Sequence, residues 1–137
     1  MISFQDHLGG VTPERLSGFW SGWPAPPSPD LHLHILAGSE AVVLAVDSSD
    51  DDRVVGFITA IGDGVFASYI PLLEVLPAYR GQGIGSKLVQ RMLARLDDRY
   101  MVDLVCDDDL VPFYERVGMM RHGAMIRRQP EVLGRTE

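Results

Sequence analysis

The chain has 137 residues, 46% hydrophobic and 23% charged, a balance that suits one domain over residues 1–137 with a core that needs no staples. The formal net charge of -7 argues against a nucleic-acid or anionic-membrane partner, and the single cysteine excludes an internal disulfide. No apolar run approaches the roughly 18 residues that span a bilayer, and MISFQDHLGG lacks a signal peptide's basic start and apolar centre, so a cytoplasmic location is expected.

Residues 1–4 read as a short strand. Thr12-Pro13-Glu14 predicts a helix start, with an N-cap hydroxyl, a proline at the first helical position and an early acid. Leu16, Phe19, Trp20 and Trp23 continue it at helical spacing until PAPPSP ends it. Ser28 before Pro29 caps a second short helix through Ala37, although LHLHIL within it also alternates like a strand. Residues 41–46 and 54–61 are apolar and β-branched around a polar SSDDD turn, which predicts an antiparallel hairpin. GDG then turns the chain into a third strand over 65–76. Pro71 in its middle removes a ladder donor and predicts a bulge or an unpaired edge.

Residues 83–96 form an amphipathic helix whose apolar stripe is Ile84, Leu88, Val89, Met92, Leu93 and Leu96. A strand follows over 101–106. Asp109 is placed to cap a helix over 110–117 that Gly118 ends, and 124–127 reads as a last strand before a frayed tail after Gln129. Strands, helix, strand, helix and strand in this order make a mixed α/β layer fold.

Between the third strand and the amphipathic helix stands Arg80-Gly81-Gln82-Gly83-Ile84-Gly85. Unpaired amides and the dipole at a helix start favour an anion, and glycines let a bulky phosphate reach them. Arg80 adds a fixed cation. The plainer reading is a simple strand-to-helix turn. The order Gly85-Ser86-Lys87 does not fit a P-loop, and the G-x-G-x-G spacing does not fit the dinucleotide fingerprint.

The loop resembles the coenzyme A signature Q/R-x-x-G-x-G/A of the GNAT superfamily of N-acetyltransferases. The resemblance runs from about Tyr69 to Met119, taking in Leu73-Glu74-Val75-Leu76-Pro77-Ala78-Tyr79 upstream and Phe113-Tyr114-Glu115-Arg116-Val117-Gly118-Met119 downstream. It implies the acyl-CoA N-acyltransferase fold, a central mixed and mostly antiparallel sheet flanked by helices. The implied activity is direct acetyl transfer from acetyl-CoA to a primary amine, on a small molecule or a peptide, with both substrates bound. The implied cofactor contacts are the backbone of Leu73 and Val75 and the loop Arg80, Gly81, Gln82, Gly83, Ile84 and Gly85, with no metal. Many members are dimers, so a homodimer is compatible.

Tyr114 falls at the family's proton-donor position, against the plainer reading of a core aromatic. Glu74, the one acid in an apolar strand, is either a general base or an edge carboxylate. Asp107 stands where the family often has asparagine, so it is assigned to substrate or to capping the next helix. Trp20 and Trp23 read first as core, with one of them, Trp20, a candidate wall of the acceptor pocket. Cys106 reads as structural rather than nucleophilic, and His32-x-His34 lacks the further ligands of a metal site. Two other readings of the loop remain open: a coenzyme A binding or sensing module without catalysis, and a nucleotide binder.

Overall fold

The computed structural model describes residues 1–132. Five strands, β1 (Ile2–Gln5), β2 (Ala41–Asp47), β3 (Arg53–Gly62), β4 (Ala67–Val75) and β5 (Met101–Asp103), lie side by side in chain order. The first three pairings are antiparallel and β4–β5 is parallel. Three helices accompany them: α1 (Pro29–Gly38), α2 (Ile84–Arg95) and α3 (Val111–Glu115). The parallel pair requires a crossover, and α2 supplies it.

All seven positions of β2 are buried, and so are Val54 to Ala60 of β3. Unbroken apolar runs of this kind mark strands covered on both faces. One face takes α2, whose Leu88, Val89 and Met92 are fully buried. Burying such a side chain contributes about 1.5–3 kcal/mol. Gly56 lets this helix start close to the sheet, because a Cβ there would stand 3.1 Å from Leu88 and 3.3 Å from Ile84. The other face takes an aromatic cluster, in which Phe57 of β3 meets Phe19, Trp20 and His32 of α1. Ser28 caps α1 by accepting the Leu31 N–H at 3.1 Å, as its position before Pro29 predicts.

The first expected helix is cut short. Only Pro13–Leu16 form a 3-10 turn, after which Gly18, Trp20 and Gly22 adopt left-handed φ of 92°, 71° and 84°. Leu16, Phe19 and Trp20 are nonetheless buried, as their apolar character demands. The fifth strand stops at Asp103 rather than Cys106. Asp109 gives no side-chain cap: a 3-10 turn, Asp108–Leu110, precedes the five-residue α3. The expected strand over 124–127 is also corrected, because those residues are exposed and lie in no sheet. Pro130–Val132 form a 3-10 turn, and the rest of the expected frayed tail lies outside the described residues.

Candidate active site

The centre of the site is where β4 leaves β5. The parallel pairing covers only Ala67, Ser68 and Tyr69 against Met101, Val102 and Asp103. Beyond Tyr69, β4 keeps its partner on the β3 side alone. Register between β3 and β4 passes from Ile61–Tyr69 to Thr59–Leu72, so Ile70 and Pro71 together oppose Ala60. This is the bulge that Pro71 predicts, with the proline seated where no ladder donor is needed.

The direction of the free backbone groups follows from two hydrogen bonds. Leu76 N–H donates to the Val55 carbonyl at 2.8 Å, so Leu76 faces β3. Arg80 Nε donates to the Val75 carbonyl at 3.0 Å, so Val75 faces the other way. Peptide groups alternate along a strand, and the polar groups of Leu73 therefore share the open side with those of Val75. The N–H groups of both residues are directed into the cleft, but the Val75 carbonyl is already taken by Arg80.

The glycine loop opens on the same cleft. Gly81 and Gly83 have φ of 79° and 82°, and a Cβ at either would meet nothing within 4 Å. The helix's first backbone bond runs from Lys87 N–H to the Gly83 carbonyl at 3.2 Å, which leaves the amides of Ile84, Gly85 and Ser86 without an intrahelical acceptor. Open approach, free donors and the positive end of a 12-residue helix fit a diphosphate. The Nε of Arg80 is tied to β4, so its charge is held at the loop's entry.

Gly85 joins three elements. A Cβ on it would stand 3.8 Å from Val75 and 3.7 Å from Phe113 of α3. Next to Phe113, Tyr114 is half-buried and packs edge-on against it, with ring centroids 4.9 Å apart. Burial and then the nearby Cys106 raise the Tyr114 hydroxyl above the ordinary tyrosine value. It is thus a neutral O–H at physiological pH, and no hydrogen-bond partner meets it among the described residues.

Glu74 points to the opposite side of β4 and touches the loop that follows the 3-10 turn. Its Oε1 and Oε2 accept the Trp20 N–H at 3.0 and 2.9 Å, and Oε2 also accepts the Ser21 N–H at 3.3 Å. Trp20 itself is 6% exposed and packs within the core, edge-on to Trp23 and His32 at 5.2 and 5.0 Å. Trp23, at 41% exposed, is the tryptophan that reaches the surface. Asp107 is exposed, sits at the start of the 3-10 turn and caps nothing with its side chain. His32 is buried while His34 is exposed, so the two do not converge.

Sequence reasoning missed one clamp. Tyr79, in the 3-10 turn Pro77–Tyr79 before the glycine loop, donates its hydroxyl to Asp47 Oδ2 at 2.7 Å. Asp47 also accepts from the Ser49 hydroxyl and amide and from the N-terminal amine. These donors hold its carboxyl well below the usual carboxylate range. A tyrosine next to a loop arginine was the available signal, but the partner lies 32 residues away.

The family described as Acetyltransferase (GNAT) family matches residues 12–119. A crystal structure of a candidate acetyltransferase from Deinococcus radiodurans R1 is 49% identical, covers 97% of this chain and 92% of its own, and superposes with a TM-score of 0.92. A GNAT family acetyltransferase from Streptococcus pneumoniae TIGR4 is 29% identical, with 94% of this chain and 100% of that one covered and a TM-score of 0.72. N-alpha-acetyltransferase 30 of Schizosaccharomyces pombe is 31% identical over 87 residues, 57% of this chain and 58% of its own. The chain spans about half the length of the curated relatives it matches.

Proposed function

The chain belongs to the GNAT family of acetyltransferases, and on that premise we propose that it transfers an acetyl group from acetyl-CoA to a primary amine by direct attack in a ternary complex. The observation that carries the reading is the splay of β4 from β5 beside a glycine loop with open amides. A strand with one unpaired edge accepts an extended, amide-bearing arm as it would another strand. When bound, acetyl-CoA supplies the activated acyl group.

The chain's own residues have separable tasks. Amides of the loop over residues 81–86 and the charge of Arg80 hold the diphosphate, while the cleft-facing N–H groups of Leu73 and Val75 hold the arm and the acyl oxygen as charge builds on it. Tyr114 delivers a proton to the departing sulfur. Its raised pKa supports this role, because the hydroxyl keeps its proton at neutral pH. Glu74 is offered as the group that holds the substrate ammonium and takes its proton. The three N–H bonds from Trp20 and Ser21 fix its carboxylate and leave lone pairs for a further donor. Trp23 and Asp107, both exposed near these elements in sequence, are offered as outer acceptor contacts; Trp20 contributes through its backbone.

The test is release of free thiol from acetyl-CoA with a panel of small amines and peptides bearing free N-termini. Amine-dependent release supports transfer. Tight coenzyme A binding with no release for any amine would replace this reading with a non-catalytic binding or sensing module.

A further inference from the structure

Cations are scarce in this chain, and α2 concentrates them. Against 19 acids the sequence holds 12 lysines and arginines. Lys87, Arg91 and Arg95 recur every fourth residue along α2, a helix with no acid of its own. Residues four apart share one helix face. At about 100° per residue, this row lies roughly 200–280° round the helix from Gly85, which faces Val75 and Phe113. The row therefore faces β1, on the flank away from the cleft beside the glycine loop.

A groove of about 570 Å³ opens on that flank, between the end of β1 and the second half of α2. Its size suits a small molecule. Phe4, Val43 and the short side chain of Ala94 give it an apolar surface. The cations around it are held in place. The Arg91 guanidinium lies over the Phe4 ring, 4.9 Å from its centroid, and Lys87 Nζ stands 6.0 Å from the same centroid. Neither is paired with an acid among the described residues. Arg95 Nη1 donates to the carbonyls of Asp6 and Val42 at 3.0 and 3.4 Å, and among the described residues no acceptor takes its Nε or Nη2. Asp6 is the one acid on the lining, with its carboxylate 3.7 Å from Arg95. The acidic turn at Asp50–Asp52 lies past the other end of β1, where Ile2 pairs with Asp47. Three cations against Asp6 leave a surplus of positive charge. Solvated cations that merely cover a helix need no groove, no shared ring and no anchored guanidinium.

We propose that this groove binds a small phosphomonoester with an aromatic or apolar body. Such a group carries about -1.5 to -2 at neutral pH, which balances the surplus. The planar donor forks of Arg91 and Arg95 match its oxygens. The body of the ligand lies against Phe4, Val43 and Ala94. The site is separate from the acetyl transfer proposed above, because the cation row and the cleft occupy opposite flanks of α2.

Titration of the full chain with phenyl phosphate, followed by amide correlation spectra in nuclear magnetic resonance, tests this. Saturable shifts should gather at residues 4–7, 43 and 91–95. Arg91 is exposed, so Arg91→Gln should keep the remaining spectrum and weaken binding about tenfold. Phenol and inorganic phosphate, the body and the head alone, should each bind more weakly than phenyl phosphate. Any of four results would overturn the proposal: no saturable shift at millimolar ligand, shifts confined to the loop over residues 81–86, inorganic phosphate binding as tightly as phenyl phosphate, or Arg91→Gln and Arg95→Gln binding as the wild type does.

Discussion

His32 provides a quantitative check on the aromatic core that packs under the loop of Phe19 and Trp20. Its ring is fully buried, edge-on to Phe19, Trp20 and Phe57 at 5.4, 5.0 and 4.4 Å, and neither ring nitrogen has a hydrogen-bond partner. Burial among aromatics disfavours the imidazolium and lowers the pKa from 6.5 to about 4. The unfolded chain therefore binds a proton at a higher pH than the folded one does. Stability is fully present above pH 6.5, falls as pH drops through the interval, and levels off below about 4. Linkage over this interval gives a loss of about 2 kcal/mol on going from near pH 7.5 to about pH 5, and about 3 kcal/mol at the lower end. The perturbation is His32→Phe, which keeps an aromatic ring and removes the titration. Urea unfolding across the pH series should show a steep decline for the wild type and a decline shallower by that amount for the variant. Asp47 titrates lower still and is common to both chains. Parallel curves for the two proteins would refute the reasoning, because the imidazole would then have to be solvated or hydrogen-bonded in the fold.

Gly83→Val puts a β-branched residue at φ 82° with its side chain in the open approach to the loop, so coenzyme A binding by calorimetry should be lost while far-UV circular dichroism holds. Tyr114→Phe keeps the ring and removes the proton, and kcat should fall by roughly 10²–10⁴ with little change in coenzyme A affinity; an unchanged kcat would remove Tyr114 from the chemistry. Glu74→Gln should lower the melting temperature through the weakened bonds to Trp20 and Ser21, and a base role adds a displaced acidic limb in the pH–rate profile. Tyr79→Phe cuts the clamp on Asp47 and should weaken coenzyme A binding by about fivefold, the equivalent of roughly 1 kcal/mol for one hydrogen bond, with the helices intact.

Much of this fold was legible because burial and local chemistry point the same way. The runs in β2 and β3 are apolar at every step, Pro71 could only sit at a bulge or an unpaired edge, and Ser28-Pro29 begins a helix for local reasons. Residues 13–23 show where that agreement ends. Leu16, Phe19 and Trp20 have helical spacing and are buried, yet two left-handed glycines and a left-handed tryptophan bury them from an irregular loop. Spacing reports which side chains must leave water, not which backbone takes them there. Residues 124–127 fail for another reason. Strand-like composition is a demand for a partner edge, and among the described residues these four pair with none.

Glu74 shows the same division within the site. A lone acid in an apolar strand reads either as a general base or as an edge carboxylate. Its carboxylate also holds the amides of Trp20 and Ser21, contacts that no local pattern announces because the partners lie 54 and 53 residues away. Trp20 occupies a backbone region that costs a bulky residue about 1–3 kcal/mol, and charge-assisted bonds to Glu74 offset that strain. The two tasks are compatible. A carboxylate that fixes the loop of Trp20 and Ser21 against the bulged strand is itself fixed, and under the proposed function that fixed anion would offer a substrate ammonium a preformed partner. Loop order and amine recognition would then fail together in Glu74→Ala but separate in Glu74→Gln, where an acceptor oxygen remains and the charge does not.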